Sequence, residues 1–348
     1  MSPFSGGREL ASLPIMSWRG RVLALGAAGL LLAAGCSNTV QGDAAAGSQE
    51  TSAGKPVAGQ SEGLIAALGA VRSTRESRVA FTYGDIAAIR DLVEQDRSRF
   101  EPLSGWGWDA LWIERENVKK GIDLDIDAMQ EAFVAGLPPD WVGVIRGDYD
   151  VTAVEAKISA RGATPKKDGE ATTWVVDASQ GIDYDGPFSD VVHTNEFNVT
   201  RTAPGSFAYS SGAAAMEWVA ATQGETLADD PVTMAAANCL GDVVAAELYR
   251  PGDGPDVVYA VGVQVAAPDD VTEVVCMAPA DGNAEQLRKT FEQRLPDAVG
   301  PEFDALRGAE AVVDGAVVRV QAPARKDRPV SDVRNFTTVR SLPDLMSE

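Results

Sequence analysis

The stretch Gly105-Trp106-Gly107-Trp108-Asp109-Ala110-Leu111-Trp112-Ile113-Glu114-Arg115-Glu116 holds the residue types best suited to chemistry. Trp106, Trp108 and Trp112 lie beside Asp109, Glu114 and Glu116. Such a set can stack on sugar rings, or place two carboxyl groups across a glycosidic bond. Trp108 and Trp112 are also one helical turn apart, which is the spacing of two rings packed in a core, and core packing is the commoner use of large aromatics. These six residues are therefore ligand or glycan contacts if the rings are open to solvent, and core and helix-end residues if they are not.

The remaining motifs exclude more than they suggest. The chain has one histidine, His193, in a polar connecting stretch, so histidine metal clusters are ruled out and any Ser-His-Asp or Cys-His system must use that residue. No Gly-x-Ser-x-Gly accompanies it, and a surface-loop histidine is the plainer reading. Ser52-Ala53-Gly54-Lys55 fits the Ser-x-x-Lys pattern but lies where no base can be held in place. Asp123-Leu124-Asp125-Ile126-Asp127 begins like a calcium loop, yet Ala128 replaces the glycine and Val134 the glutamate that such a loop needs. Asp127 is better placed as the cap of a short helix running to Val134. Arg146-Gly147-Asp148 spells an integrin-binding tripeptide, but it sits at a strand end and three-residue matches are common by chance. Neither a phosphate loop nor a dinucleotide fingerprint is present. No metal, cofactor or catalytic set is expected.

The elements that must position these residues repeat. Ser77 to Tyr83 reads as a strand, Gly84-Asp85 as turn and cap, and Ile86 to Leu92 as a helix. Aligned on Gly84 and Gly212, the segment Ser206-Phe207-Ala208-Tyr209-Ser210 followed by Ala213 to Val219 repeats that phrase. Trp141 to Arg146 is a strand, Asp150 caps, and Val151, Val154 and Ile158 share a helix face. Val274 to Met277, Asn283, and Ala284, Leu287 and Phe291 do the same. Asp168-Gly169 and Asp314-Gly315 then turn into strands Thr172 to Val176 and Ala316 to Val320. The expected fold is α+β, with two related halves, 62–205 and 206–348. Each half runs strand, helix, variable middle, strand, helix, strand, and the two share a mainly antiparallel sheet with helices on one face. The second middle is expected to hold a helix, Val232 to Asn238, and a hairpin, Val243 to Leu248 with Val257 to Val265, turning at Pro251 to Pro255.

Upstream, Arg19 and Arg21 precede an apolar run, Val22 to Ala34, which is too short for the roughly 20 residues of a membrane span and reads as a signal sequence over residues 1–35. Met16 would serve as an alternative start. Ala33-Ala34-Gly35-Cys36 resembles the lipobox of bacterial lipoproteins, in which the cysteine accepts diacylglycerol. Ala33 stands where leucine is commoner. Residues 36–61 are small and polar and read as a disordered tether.

Arg8, Glu9, Arg19 and Arg21 carry a net +2, so the chain from Cys36 onward moves from −21 to −23. This charge repels nucleic acid and anionic headgroups, leaving the acyl chains as the membrane contact. Cys239 and Cys276 are expected to form one disulfide in an oxidising envelope, with two free buried thiols as the alternative.

The lipobox, the acidic body rich in alanine and glycine, and the phrases Phe81-Thr82-Tyr83-Gly84-Asp85 and Gly143-Val144-Ile145-Arg146-Gly147-Asp148-Tyr149-Asp150 together resemble uncharacterised actinobacterial lipoproteins. The resemblance implies a lipid-anchored protein on the extracytoplasmic face of the cell membrane and carries no catalytic residue. The function expected is non-enzymatic binding of an envelope protein or small ligand, or an accessory role in the envelope. The alternative is a carboxylate-based hydrolase of a cell-wall glycan.

Overall fold

Side-chain caps start three of the main helices where the sequence places them. In the computed structural model the Asp85 carboxylate accepts from Ala88 N at 2.9 Å, Asp150 from Ala153 N at 3.0 Å, and Asn283 from Gln286 N at 3.3 Å. Each satisfies an amide that the first helical turn leaves unbonded. The structure describes residues 63–348 apart from 221–222, 253–255, 299, 331, 339–340 and 348. The signal sequence, Cys36 and the tether lie outside the described residues, as does part of the Pro251 to Pro255 turn.

The strands are β1 (Ala80–Gly84), β2 (Glu131–Leu137), β3 (Asp140–Arg146), β4 (Thr164–Asp168), β5 (Ala171–Val175), β6 (Val199–Ala203), β7 (Ser206–Ser210), β8 (Ala245–Tyr249), β9 (Val257–Ala267), β10 (Asp270–Pro279), β11 (Ala311–Asp314) and β12 (Val317–Pro323). They form a 12-stranded sheet in the order β11-β12-β10-β9-β8-β1-β2-β3-β7-β6-β5-β4. Every pairing in it is antiparallel. At its middle β1 meets β8 with Thr82 opposite Glu247. One edge, β4, carries exposed Pro165, Lys166 and Lys167, which discourage a further strand from adding.

The helices are α1 (Gly63–Gly69), α2 (Ile86–Gln95), α3 (Arg97–Phe100), α4 (Asp109–Trp112), α5 (Arg115–Ile122), α6 (Val151–Ala160), α7 (Ala213–Ala220), α8 (Pro231–Leu240), α9 (Ala284–Arg294), α10 (Pro301–Leu306), α11 (Arg334–Thr338) and α12 (Ser341–Ser347). The fold is thus α+β with an antiparallel sheet, as the sequence pattern implies. Helices cover both faces of it, which corrects the expectation of one. Leu248, Val258, Ala260, Val274 and Cys276 pack with residues of α1, α7 and α8 on one face. Their strand neighbours Val257, Tyr259, Val261, Val275 and Met277 pack with α2, α9, α11 and α12 on the other. Beyond β1, that second face continues as a separate cluster under α5 and α6, built on Ala132, Trp141, Ile145, Phe207 and Tyr209.

Two further expectations change. The helix placed over Asp127 to Val134 is a short 3-10 turn, Ile126–Ala128, followed by strand β2. The division between residues 205 and 206 cuts the β6–β7 hairpin, and β7 lies between β3 and β6 instead of occupying the place in the second part that β1 holds in the first. The sequence β3-α6-β4-β5 resembles β10-α9-β11-β12, both Asp-Gly turns included, except that α10 intervenes between α9 and β11. Even so, β10 pairs directly with β12, whereas β7 and β6 stand between β3 and β5. A two-fold duplication is not established by this topology.

Cys239, at the end of α8, is bonded to Cys276 in the centre of β10, with 6.1 Å between the Cα atoms. Both are buried.

Candidate binding cleft

The segment from Gly105 to Gly107 crosses the end of β1 in close contact. A Cβ on Gly84 would stand 2.1 Å from the Trp106 carbonyl oxygen, and one on Gly107, where φ is +81°, would stand 2.2 Å from the Ala132 carbonyl oxygen. No side chain fits at either place. This approach sends the tryptophans to different destinations. Trp106 is fully buried among the second-face residues under α9, α11 and α12, and Trp108, 2% exposed, belongs to the neighbouring cluster under α5 and α6. The two rings stitch these clusters together. Trp112 is half-buried and meets the Trp108 ring edge-on, with centroids 5.2 Å apart.

The carboxylates disperse. Asp109 Oδ1 pairs with an Nη of Arg334 at 2.5 Å, and the Arg334 guanidinium lies 5.2 Å from the Trp106 ring centroid. Desolvation beside the tryptophans raises the Asp109 carboxyl above the usual carboxylate range, with Arg334 opposing it. Glu114 is buried, lies 2.7 Å from His193 Nδ1 and accepts from Asn117 Nδ2 at 2.8 Å. Glu116 is exposed on α5. Two of the three rings expected as a platform are core. Asp109 and Glu114 are thus engaged by different side chains, Arg334 and His193.

What the segment does form is one wall of a cleft of about 200 Å³. Ile86, Ile89 and Val93 on α2 face Trp108 and Trp112 across it. The cleft sits at the seam of the two second-face clusters, since Ile86 packs with Trp108 while Ile89 packs with Trp106. Its rim carries Arg90, Arg97, Arg115, Glu101 and Asp127.

The rim cations are held differently. Arg97 makes two bonds to Glu101, at 2.7 and 3.3 Å. Arg115 stacks 4.2 Å from the Trp112 ring centroid, donates to Trp112 O at 2.9 Å and lies 3.6 Å from Asp127. Arg90 donates one Nη to the Asp127 backbone carbonyl at 2.6 Å and, among the described residues, pairs with no carboxylate. The Asp127 carboxyl is raised, first by desolvation and further by Asp125 and Glu116, against the lowering effect of Arg115.

Sequence reasoning offered Trp108 and Trp112 as ligand contacts or core residues, and expected the helix that becomes α2 without setting it or Arg90 beside them. Nothing local to Arg90 marks it, because its contact with Asp127 spans 37 residues. The His193–Glu114 pair was equally hidden, although His193 is exposed as a surface-loop histidine should be. Among the described residues no group of three His, Cys, Asp or Glu side chains is placed to hold a metal ion. No protein-family model matches the chain, and no curated protein or solved structure does either.

Proposed function

We propose that the chain is an extracytoplasmic lipoprotein, held to the membrane through a diacylglyceryl Cys36, whose folded body binds a small ring-bearing ligand in the α2–tryptophan cleft without transforming it. The observation that carries the binding half is the cleft itself. A half-buried tryptophan and a buried one line an opening with an apolar floor and charged rim, the composition of small-molecule sites. At about 200 Å³ it is smaller than the roughly 300–1,000 Å³ of drug-sized sites and suits one or two rings. The anchor rests on Arg19, Arg21, the apolar run and Ala33-Ala34-Gly35-Cys36. The Cys239–Cys276 bond agrees with an oxidising compartment.

Saturation-transfer NMR on the purified full chain tests the cleft, using 2-naphthoate, 2-naphthamide and methyl β-glucoside as probes. Contact with at least one probe, lost in Trp112→Ala, is the expected result. Contact with none, or contact indifferent to Trp112→Ala, contradicts the reading. Labelling with an alkynyl fatty acid tests the anchor: label should enter the native chain and be absent from Cys36→Ala.

A further inference from the structure

The charge of the cleft differs in sign from that of the chain. Over the whole sequence the formal charge is −21, yet the charged side chains lining the cleft are three arginines, Arg90, Arg97 and Arg115, against two carboxylates, Glu101 and Asp127. The imbalance lies at Arg90. Arg97 is engaged by Glu101, and Arg115 is shared between Asp127 and the face of Trp112. Arg90 is anchored by a single bond to a backbone carbonyl, which fixes its direction without neutralising it. Among the described residues, no other protein group is hydrogen-bonded to or ion-paired with this guanidinium. It stands on α2 one residue from Ile89 and three from Val93, the apolar side chains of the same wall.

On the premise that the cleft is a binding site, we infer that its ligand is an organic anion: a planar apolar body against Trp108, Trp112, Ile89 and Val93, with a carboxylate or a similar forked oxyanion accepting two N–H bonds from Arg90. A guanidinium presents parallel donors at the spacing of a carboxylate, and such charge-assisted pairs are about twice as strong as neutral ones. The net charge of −21 on the chain weakens long-range attraction of an anion, so selectivity comes from this short-range pair and not from steering. A neutral ring of the same shape keeps the apolar contacts and loses only the fork.

Matched probes separate these contributions. 2-Naphthoate and 2-naphthamide have the same rings and nearly the same shape and differ in charge. Calorimetric titration of the full chain should show naphthoate binding about tenfold tighter or more, a difference of about 1.4 kcal/mol. In Arg90→Gln, where the side chain is half-exposed and the fold has little at stake, that preference should fall to within about twofold while naphthamide binds as before. Arg90→Lys, which keeps the charge and loses the fork, should retain part of it. Arg97→Gln should leave most of it, since Glu101 already holds Arg97. Equal binding of the two probes to the native chain, or a preference unaffected by Arg90→Gln, overturns the inference and leaves the cleft a binding site. Binding of neither probe overturns the inference, and overturns the proposed function as well if methyl β-glucoside also makes no contact.

Discussion

The three tryptophans of one short segment should differ sharply in what their removal costs. Trp106 and Trp108 are 0% and 2% exposed, so each buries nearly the whole of a large aromatic side chain. At about 25 cal/mol per Å² and roughly 200 Å² for such a side chain, truncation to alanine costs up to about 5 kcal/mol, at the upper end of the range of about 3–5 kcal/mol found for buried aromatics. Trp106→Ala also removes the ring under Arg334 and so loosens the Asp109–Arg334 tie to α11. Trp112 is only partly buried, so its truncation gives up less of that area, together with the Arg115 stack, and costs less than either of the other two. Urea unfolding followed by circular dichroism reads all three. The expected order is a large and similar loss for Trp106→Ala and Trp108→Ala and a clearly smaller one for Trp112→Ala. A Trp112→Ala loss equal to the other two, or a Trp108→Ala loss under about 1 kcal/mol, refutes the division of this segment into core and cleft.

Two other perturbations test the frame. The Cys239–Cys276 bond closes a loop with a sequence separation of 37, so replacing both cysteines by alanine should cost about 4 kcal/mol by chain entropy; a fall in urea-unfolding stability below 1 kcal/mol would count against that assignment. The Asp230 carboxyl would be raised by burial alone, but bonds from the Thr233 backbone and side chain, with Arg250 and Arg78, leave it below the usual range. A group depressed in the folded state contributes stability that is complete above its unfolded value near 3.9 and is lost as pH falls through the folded one. Asp230→Asn keeps an N-cap side chain and removes the charge. It should therefore lower stability by about 1–3 kcal/mol at pH 7 and flatten the loss seen below about pH 4 in urea titrations; an unchanged acid limb would show that the charge contributes nothing.

Local signals carried much of the architecture. Asp85, Asp150 and Asn283 cap helices because a short polar side chain can reach the N3 amide from one place only, and Asp168-Gly169 and Asp314-Gly315 turn hairpins because the glycine adopts positive φ. The errors come from burial on both faces. Glu131-Ala132-Phe133-Val134-Ala135-Gly136-Leu137 shows no alternation, since β2 is covered above and below, and its alanines and leucine suit a helix equally well. The uninterrupted run Val257 to Val263 carried the same message, that helices lie on both sides, and the one-faced expectation overlooked it. Strand β6 was missed because Val199-Thr200-Arg201-Thr202-Ala203 lies in a stretch otherwise read as polar connection. At the cleft, the spacing of Trp108 and Trp112 was visible. The α2 wall was not, because only tertiary packing brings Ile89 and Arg90 opposite them.

The most direct test of the central claim is a titration of the ¹⁵N-labelled full chain with 2-naphthoate, observed at the indole N–H signals. Saturable shifts of the Trp108 and Trp112 signals are expected, with those of buried Trp141, Trp174 and Trp218 unmoved, and loss of the response in Trp112→Ala. No saturable indole shift, or a shift confined to tryptophans outside the cleft, would contradict that claim.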